Sequence, residues 1–487
     1  MQGSFDFRRK AREEMIREGF LPEFSPEQCA QAQSLSAAPL PDANDLRPLL
    51  WSSIDNAQSR DLDQAEWAER QADGSIRVSI AIADVDAVVK TGSALDAHAR
   101  FNATSIYPGG PAFPMLPDRL SNDLTCLKEN GDRSAVVVTF RVTTDGEVED
   151  AAVSTAAIRN HASLSYEQVG PWLLGKSASF APGTSPVGLA EQLRLQQETS
   201  RRLKKFRQDH GALFLTGIES VPVVAGVEIK DLAVVQEDPA RDIIESFMIA
   251  ANIAMAGFLR SHNWLCLRRV VRTPKRWDRI QSLAQQFGVT LPAQPEPGPL
   301  ADFLAQRKQA DPVGFPELSL AVLKSLGPGQ YVVEHPGAES QGHFGLAAND
   351  YTHSTAPNRR YADLITQRLV KAALGLRAMP FSEAELAQLA ARCTEREAAA
   401  RHVERFMNKV AAALFLRPRI GQTFQAIVTG VAPKGTFVRL LDLPAEGRVV
   451  QGQGGLDIGQ RTRVRLVSTD PERGFIDFAT DISASQS

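Results

Sequence analysis

Residues 54–64 read "IDNAQSRDLDQ" and follow directly on the apolar run "LLWSSI" (49–54). Three aspartates, Asp55, Asp61 and Asp63, fall within this one short stretch. Like charges at close range repel, and burying carboxylates is costly unless something positive neutralises them. The apolar run has the character of a strand, and carboxylates on a turn beyond a strand end can converge on one point. Two readings stay open from the residues alone: a solvated acidic loop, or a socket for a hard cation. Oxygen-only ligands suit Mg²⁺ or Mn²⁺. None of the eight histidines lies near the cluster, which argues against zinc.

Outward from this turn, the pattern is of strands and then helices. "SIRVSIAIADVDAVV" (75–89) is β-branched and partly alternating, so it reads as a strand. Residues 135–158 read as a strand, an Asp-Gly turn and a second strand. Helices are expected over 190–209, 240–260 and 359–375, and the proline-bearing stretch 290–318 reads as a loop or insertion. Strands followed by helices indicate an α+β fold. Ser382-Glu383-Ala384-Glu385 caps a further helical region reaching about residue 416, with a possible restart at Thr394, whose apolar stripe is core. From residue 420, about five short strands separated by Gly and Asp-Pro turns suggest a small barrel of OB type.

At the front, residues 5–36 look like two short helices. Ser25-Pro26-Glu27-Gln28 forms a capping box that starts the second. The first carries Arg8, Arg9, Lys10 and Arg12, a stripe that is either a solvated face or a contact for an anionic partner. Residues 34–45 are a linker by composition.

The 487 residues exceed one simple core, so two to four domains are expected. A net charge of −3 means that any nucleic acid would be held by a local basic surface. Cys29, Cys126, Cys266 and Cys393 are dispersed with no CxxC, which disfavours a zinc ribbon or a disulfide scaffold and fits a reducing cytoplasm. The N-terminal stretch lacks the apolar core of a signal peptide. The apolar run 246–259 is too short to span a bilayer and reads as a buried helix.

Two more stretches carry chemistry. In "YTHSTAPNRRYADLITQRL" (351–369), Arg359, Arg360 and Arg368 cluster where a proline-bearing turn meets a helix. Guanidiniums bind phosphate bidentately, and a helix N-terminus adds oriented N–H groups; the plainer alternative is a surface patch. In "NATSIYPGGPAFPMLPDRLSNDLTCL" (102–127), Tyr107 precedes a proline-stiffened loop and has the chemistry to stack on a base, or simply to pack.

Taken in order, these stretches resemble the ribonuclease II family, the RNB exoribonucleases. The family pattern, Ile-Asp followed at six-residue spacing by Asp-x-Asp-Asp, stands here as Ile54-Asp55 and Asp61-Leu62-Asp63-Gln64. "IAIADV" (80–85), the tyrosine loop closing in "PMLP" (114–117), "LSNDL" (120–124) and "HFGL" (343–346) follow. Residues 351–364 are similar to the family's Tyr-Thr-His-x-Thr-Ser-Pro-Ile-Arg-Arg-Tyr-Ala-Asp-Leu. The terminal barrel resembles the S-one type of RNA-binding OB fold. The resemblance covers roughly residues 46–482.

It implies an α+β, multidomain chain: a helical N-terminal segment (1–45), an RNB catalytic domain (46–416) with a mixed sheet, and an OB-fold RNA-binding domain (419–482). The implied activity is processive 3′-to-5′ hydrolysis of single-stranded RNA to nucleoside 5′-monophosphates by a cytoplasmic, monomeric enzyme using Mg²⁺ or Mn²⁺, with no membrane partner. Asp55, Asp61 and Asp63 match metal-binding aspartates, and Arg359 the arginine that clamps the scissile phosphate, with Arg360 beside it on the RNA. Tyr107 matches the tyrosine that stacks on the terminal base, and Tyr166 an aromatic contact deeper along the RNA. Phe214 matches the phenylalanine that pinches the bases, Glu245 an acid near the terminal nucleotides, and Glu404 a glutamate near the nucleotide exit.

Three departures stand out. Gln64 replaces the fourth aspartate, removing one negative charge from the site. Ala356-Pro357-Asn358 replaces Ser-Pro-Ile. About 45 residues stand where cold-shock barrels are usual; they are read as a helix-turn-helix-like RNA guide or as a helical brace. The alternative to an enzyme is a catalytically weakened RNA-binding protein that keeps the channel; a purely structural protein would show neither cleavage nor salt-sensitive RNA binding.

Overall fold

The computed structural model describes residues 5–42, 44–181, 185–216, 220–225, 228–234, 238–433 and 435–480. Two helices come first, α1 (Phe7–Arg17) and α2 (Pro26–Ser34). Asp6 accepts from the Arg9 N–H to cap α1, and Ser25 and Gln28 cap α2 reciprocally.

Five strands follow: β1 (Trp51–Asp55), β2 (Gln64–Arg70), β3 (Ile76–Ala83), β4 (Asp132–Val142) and β5 (Val148–Ser165). Successive strands pair antiparallel, and β5 returns parallel to β1, so the expected mixed sheet closes into a barrel with no open edge. The closing register sets Ile54 opposite Leu164 and Asp55 opposite Ser165. The strand expected over 75–89 stops at Ala83, because the Asp84 side chain accepts from the Ala87 N–H and starts the short helix α3 (Val85–Val88). Helix α4 (Ala94–Asn102) and the Tyr107 loop complete the β3–β4 crossing.

Helices α5 (Tyr166–Leu173) and α6 (Leu189–Asp209), the hairpin β6 (Ser220–Ala225) and β7 (Glu228–Val234), helix α7 (Pro239–Ser261) and strand β8 (Cys266–Val270) come next. Residues 290–318 are more ordered than a loop. Most of the stretch belongs to α9 (Pro297–Ala310) and the start of α10 (Phe315–Leu326), which pack with the preceding α8 (Trp277–Gln285) around Trp277, Phe303 and Phe315. Its prolines open helices instead of breaking them: Pro297 and Pro316 sit in the first turns of α9 and α10, where the missing N–H costs nothing. Strand β9 (Gln330–Glu334) pairs with β8, and α11 (Tyr361–Ala373) and α12 (Glu383–Leu416) follow. Helix α12 runs unbroken through Thr394.

Helix α7, at 23 residues, is longer than the apolar run alone suggests. By length and composition it is apolar enough to cross a membrane, but most of it is buried within the fold, against α6, β5 and α11.

The last five strands, β10 (Thr423–Ala432), β11 (Gly435–Leu440), β12 (Glu446–Gln451), β13 (Arg461–Asp470) and β14 (Phe475–Thr480), form a second closed barrel. Its core is continuous with one face of α12, with α1, and with Ile106 and Phe113 of the Tyr107 loop. The first barrel has its own core with α7 and α11.

Candidate active site

The acidic turn between β1 and β2 is pinned from both sides. The Leu127 N–H donates to the Leu62 carbonyl, the Cys126 thiol to the Arg60 carbonyl, and the Ala83 N–H to the Asp63 carbonyl. These bonds fix the turn against the end of β3 and the segment that leads into β4.

Asp63 is almost fully buried at 2% exposure. Its Oδ1 accepts from the Asn358 backbone N–H at 3.0 Å and from the Asn358 side-chain amide at 2.9 Å. Asn358 is itself held by the Thr125 hydroxyl, which donates to its Oδ1 at 2.6 Å. The second oxygen of Asp63, Oδ2, is buried with no partner. Burial pushes this carboxyl up to about 8, with Arg359 opposing and Asp61 adding to the rise. The charge of Arg359 does not offset that burial. Asp55 is also raised, first by burial and then by Asp61. The Gln64 amide donates to Asp55 Oδ2 at 3.3 Å, so glutamine meets Asp55 with a neutral donor where the family pattern has a charge.

The Tyr107 hydroxyl donates to Asp61 Oδ2 at 3.1 Å, and the Tyr107 N–H donates to Glu404 Oε1 at 3.0 Å. One tyrosine thereby links the acidic turn to α12. Arg359 is exposed and makes no ion pair among the described residues, yet its charge acts on Asp55, Asp63, Tyr107 and Glu404. An unpaired guanidinium facing a carboxylate cluster is suited to an anion lying between them.

The neighbouring arginines behave differently. The Arg360 guanidinium is taken bidentately by Asp363, at 2.8 and 2.7 Å, which commits it to the helix start rather than to a phosphate. Arg368 has no exposed surface and bonds Asp86 at 3.0 Å and Asp96 at 2.8 Å, so it is an internal strut and not part of a phosphate-binding cluster.

Barrel closure puts Tyr166 immediately after Ser165, the partner of Asp55. The Arg241 guanidinium lies 4.3 Å from the Tyr166 ring centroid. Phe214 is flanked by Lys204 at 5.6 Å and Arg207 at 5.7 Å. Glu245 is exposed on α7 and supports the charge of Arg207, which burial otherwise disfavours. The aromatic residues thus each carry a cation, a pairing suited to a base stacked near a phosphate.

Several functional candidates had no usable signal in the sequence. Asn358 looked like a mere departure from the family pattern, yet it orients Asp63. Arg207 and Arg241 sat unremarked in helices and reach the aromatics only through the fold. Glu66, on the same face of β2 as Gln64, has no exposed surface, and neither carboxylate oxygen has a partner. Burial first, and Asp55 second, push it well above the ordinary carboxyl range.

The donor set fits a hard divalent ion: three carboxylates, with Asp61 acting on both Asp55 and Asp63, one orphaned buried oxygen, and no soft ligand among them. Their oxygens are not drawn into a closed cage. Among the described residues, the only three acid or histidine groups with ligating atoms all within 4.8 Å of one another are Glu14, Glu18 and His402, on α1 and α12. Glu14 there is already paired with Arg17.

Comparison with known proteins identifies the family. The family model described as the RNB domain matches residues 43–375, and that of the RNase II-type exonuclease C-terminal S1 domain matches residues 422–480. Ribonuclease R of Escherichia coli (strain K12) is 30% identical over 424 residues, which are 83% of this chain and 51% of that protein. The chain spans about half the length of the curated relatives it matches first. Mycoplasma genitalium RNase R in complex with double-stranded RNA superposes with a TM-score of 0.86 at 26% identity, covering 98% of this chain and 83% of that one. The fold is shared also by yeast Ssd1, described as a pseudonuclease, with a TM-score of 0.71 at 17% identity over 90% of this chain and 55% of that one. The RNB match spans most of the chain, and this protein belongs to the RNB family of RNase II and RNase R exoribonucleases.

Proposed function

We propose that the chain hydrolyses single-stranded RNA from its 3′ end, processively, and releases nucleoside 5′-monophosphates. The observation that carries this reading is the buried, unpartnered Oδ2 of Asp63, in the field of Asp61 and of the unpaired guanidinium of Arg359. Residues 46–416 are the proposed catalytic unit and residues 419–482 the RNA-binding barrel.

Asp55, Asp61 and Asp63 would hold Mg²⁺ or Mn²⁺. Divalent ions bound there supply an activated water and charge stabilisation for phosphodiester hydrolysis. The protein's own groups do the rest. Asn358 holds Oδ1 of Asp63 and leaves Oδ2 free to ligate. Arg359 offers its charge to the phosphate oxygens as negative charge grows on them. Tyr107 stacks on the terminal base while its hydroxyl and N–H are fixed by Asp61 and Glu404. Tyr166 with Arg241, and Phe214 with Lys204 and Arg207, grip the bases and phosphates upstream, and Glu245 lies beside that path. RNA is preferred over DNA because buried polar groups along a narrow path can read the 2′-OH.

The second reading is a weakened RNA-binding protein. Its basis is Gln64, which leaves the acidic turn one negative charge short of the family pattern. Incubation of the purified chain with 5′-labelled RNA and Mg²⁺ or Mn²⁺ separates the two. The proposal expects full-length RNA to give way to a short 5′ end product without accumulated intermediates, with nucleoside 5′-monophosphates released in step, both abolished in Asp63→Asn. RNA binding with intact RNA would establish the second reading. Equal degradation of a matched single-stranded DNA would remove the preference for RNA.

A further inference from the structure

The basic residues of α1 are not arranged as a grip for nucleic acid. Arg9 pairs with Glu13 at 2.5 Å, and Arg12 with Glu23. Lys10 pairs at 2.8 Å with Glu472, on the turn between β13 and β14 of the second barrel. The Arg8 guanidinium lies 5.1 Å from the ring centroid of Phe113. Each of these side chains already has a partner within the protein, although Arg8, Arg9 and Arg12 remain exposed.

The apolar face of α1 has partners too. Phe7, Ala11 and Met15 are buried in one cluster with Val403 and Met407 of α12 and with Ile106 and Phe113. Ile106 and Phe113 exchange backbone hydrogen bonds at 3.0 and 2.9 Å and close the loop whose first residue is Tyr107. The Phe7 ring lies directly on this loop, since a Cβ at Gly110 would sit 3.4 Å from it. On the loop's other flank Gly109 has φ of +88°, and a Cβ there would meet the Pro222 ring at 2.6 Å. The chain after α1 is tied down as well. Arg396 donates to the carbonyls of Glu18 and Gly19, and Asn102 and Leu21 exchange two hydrogen bonds.

We propose that α1 is a positioning brace for the terminal-base platform, in which Phe7 and Arg8 hold the Tyr107 loop against α12 and Lys10 ties that assembly to the second barrel. The inference rests on the reading of Tyr107 as the residue that stacks on the 3′ base. The brace touches neither RNA nor the acidic turn. It acts through Tyr107, whose hydroxyl and N–H must reach Asp61 and Glu404 together. Of the two readings of the N-terminal segment, this places the brace above the RNA guide.

A double-mutant cycle on the full chain tests it. An RNA oligomer ending in 2-aminopurine is bound in EDTA, and the fluorescence quenching on stacking and the affinity are read for wild type, Phe7→Ala, Tyr107→Ala and the double variant. Stacking on an aromatic is worth a fewfold to a hundredfold in affinity, so Phe7→Ala is expected to lose about fivefold together with part of the quenching. It should raise KM far more than it lowers kcat, and Phe7→Leu should recover most of the loss. In the Tyr107→Ala background Phe7→Ala should add less than about twofold, because coupled residues are not additive. Arg8→Ala, at an exposed position, should reproduce the effect in weaker form should Phe7→Ala fold poorly. Losses that multiply independently of Tyr107, or unaltered quenching in both Phe7→Ala and Arg8→Ala, overturn the brace. Unaltered quenching in Tyr107→Ala itself overturns instead the stacking reading beneath it.

Discussion

Tyr107 donates its hydroxyl to Asp61 across 3.1 Å, although 46 residues separate them, and its backbone N–H is fixed by Glu404. The contact joins the proposed base platform to the acidic turn, so the two parts of the site are set by one side chain. Tyr107→Phe keeps the ring and loses one hydrogen bond to a charged group, worth about 1.5–3 kcal/mol at most. We expect Tyr107→Phe to retain binding and terminal-base quenching, whereas Tyr107→Ala loses about 1–3 kcal/mol of binding, measured by titration with a short RNA in EDTA. Equal losses in the two variants would show that the hydroxyl, and not the ring, holds the RNA.

Arg359 and Arg360 are adjacent and should fail in different ways. Arg359→Ala removes an unpaired cation facing the carboxylates, and turnover should fall by about 10²- to 10³-fold with little change in melting temperature. Arg360→Ala strands the fully buried Asp363 and should destabilise the fold by about 3 kcal/mol. Parallel activity and melting measurements distinguish them. A large drop in melting temperature for Arg359→Ala would place that residue in the structure rather than in the chemistry.

Asp63 makes metal-free stability depend on pH. Its folded value of about 8 lies above the ordinary 3.8, so the folded chain binds more protons than the unfolded chain between those limits. Stability should therefore fall as pH rises from about 4 to 8, by up to about 1.4 kcal/mol per pH unit from this one group. A divalent ion competes with the proton. Added Mg²⁺ should raise the melting temperature more at pH 8 than at pH 5, and Asp63→Asn should remove most of that difference. An ion effect independent of pH and retained in Asp63→Asn would locate binding elsewhere.

Glu66 is a second buried acid, with neither oxygen partnered, and its raised value has the same sign: the stability it costs grows as pH climbs above the ordinary 4.5. Glu66→Leu removes two unsatisfied oxygens and should stabilise the chelated protein by about 1–3 kcal/mol near neutral pH. Chemical denaturation at pH 5 and pH 8 checks this, with the larger gain expected at pH 8. A loss of stability at both pH values would show that the carboxylate has a partner that matters.

Asn358 turns a difference from the family pattern into a position of consequence. Asn358→Ala leaves the backbone N–H bond to Asp63 and removes the side-chain one at 2.9 Å. It should weaken Mn²⁺ binding, measured by calorimetry, by about tenfold, the range seen when a group orienting a metal ligand is lost. Unchanged affinity would make Asn358 a packing residue only.

Much of this arrangement is legible in the amino-acid sequence. The acidic turn, the tyrosine loop and the arginine turn are each short, local and chemically distinctive. The Ser25 and Ser382 capping boxes marked their helix starts because capping is a local code. What escaped depends on distant partners. The parallel pairing of β1 with β5, which puts Tyr166 next to Asp55, joins segments more than a hundred residues apart and leaves no trace in either. Arg359 and Arg360 look equivalent in sequence and are separated only by the backbone turn that gives Asp363 to one of them. The charges of α1 read as a solvated or RNA-facing stripe because Glu472 and Phe113 lie far along the chain. Residues 290–318 looked irregular because prolines that open helices and prolines that break them share one letter.

The central claim is that the turn holding Asp55, Asp61 and Asp63 is a socket for hard divalent ions at the end of a threaded RNA strand. Anomalous scattering from crystals grown with Mn²⁺ and a cleavage-resistant RNA oligomer tests it most directly. The account predicts a manganese peak on Asp63 Oδ2, shared with Asp55 or Asp61, with the terminal phosphate between it and Arg359. RNA bound along the chain with no metal at these carboxylates, and Arg359 turned away from the phosphate, would contradict it.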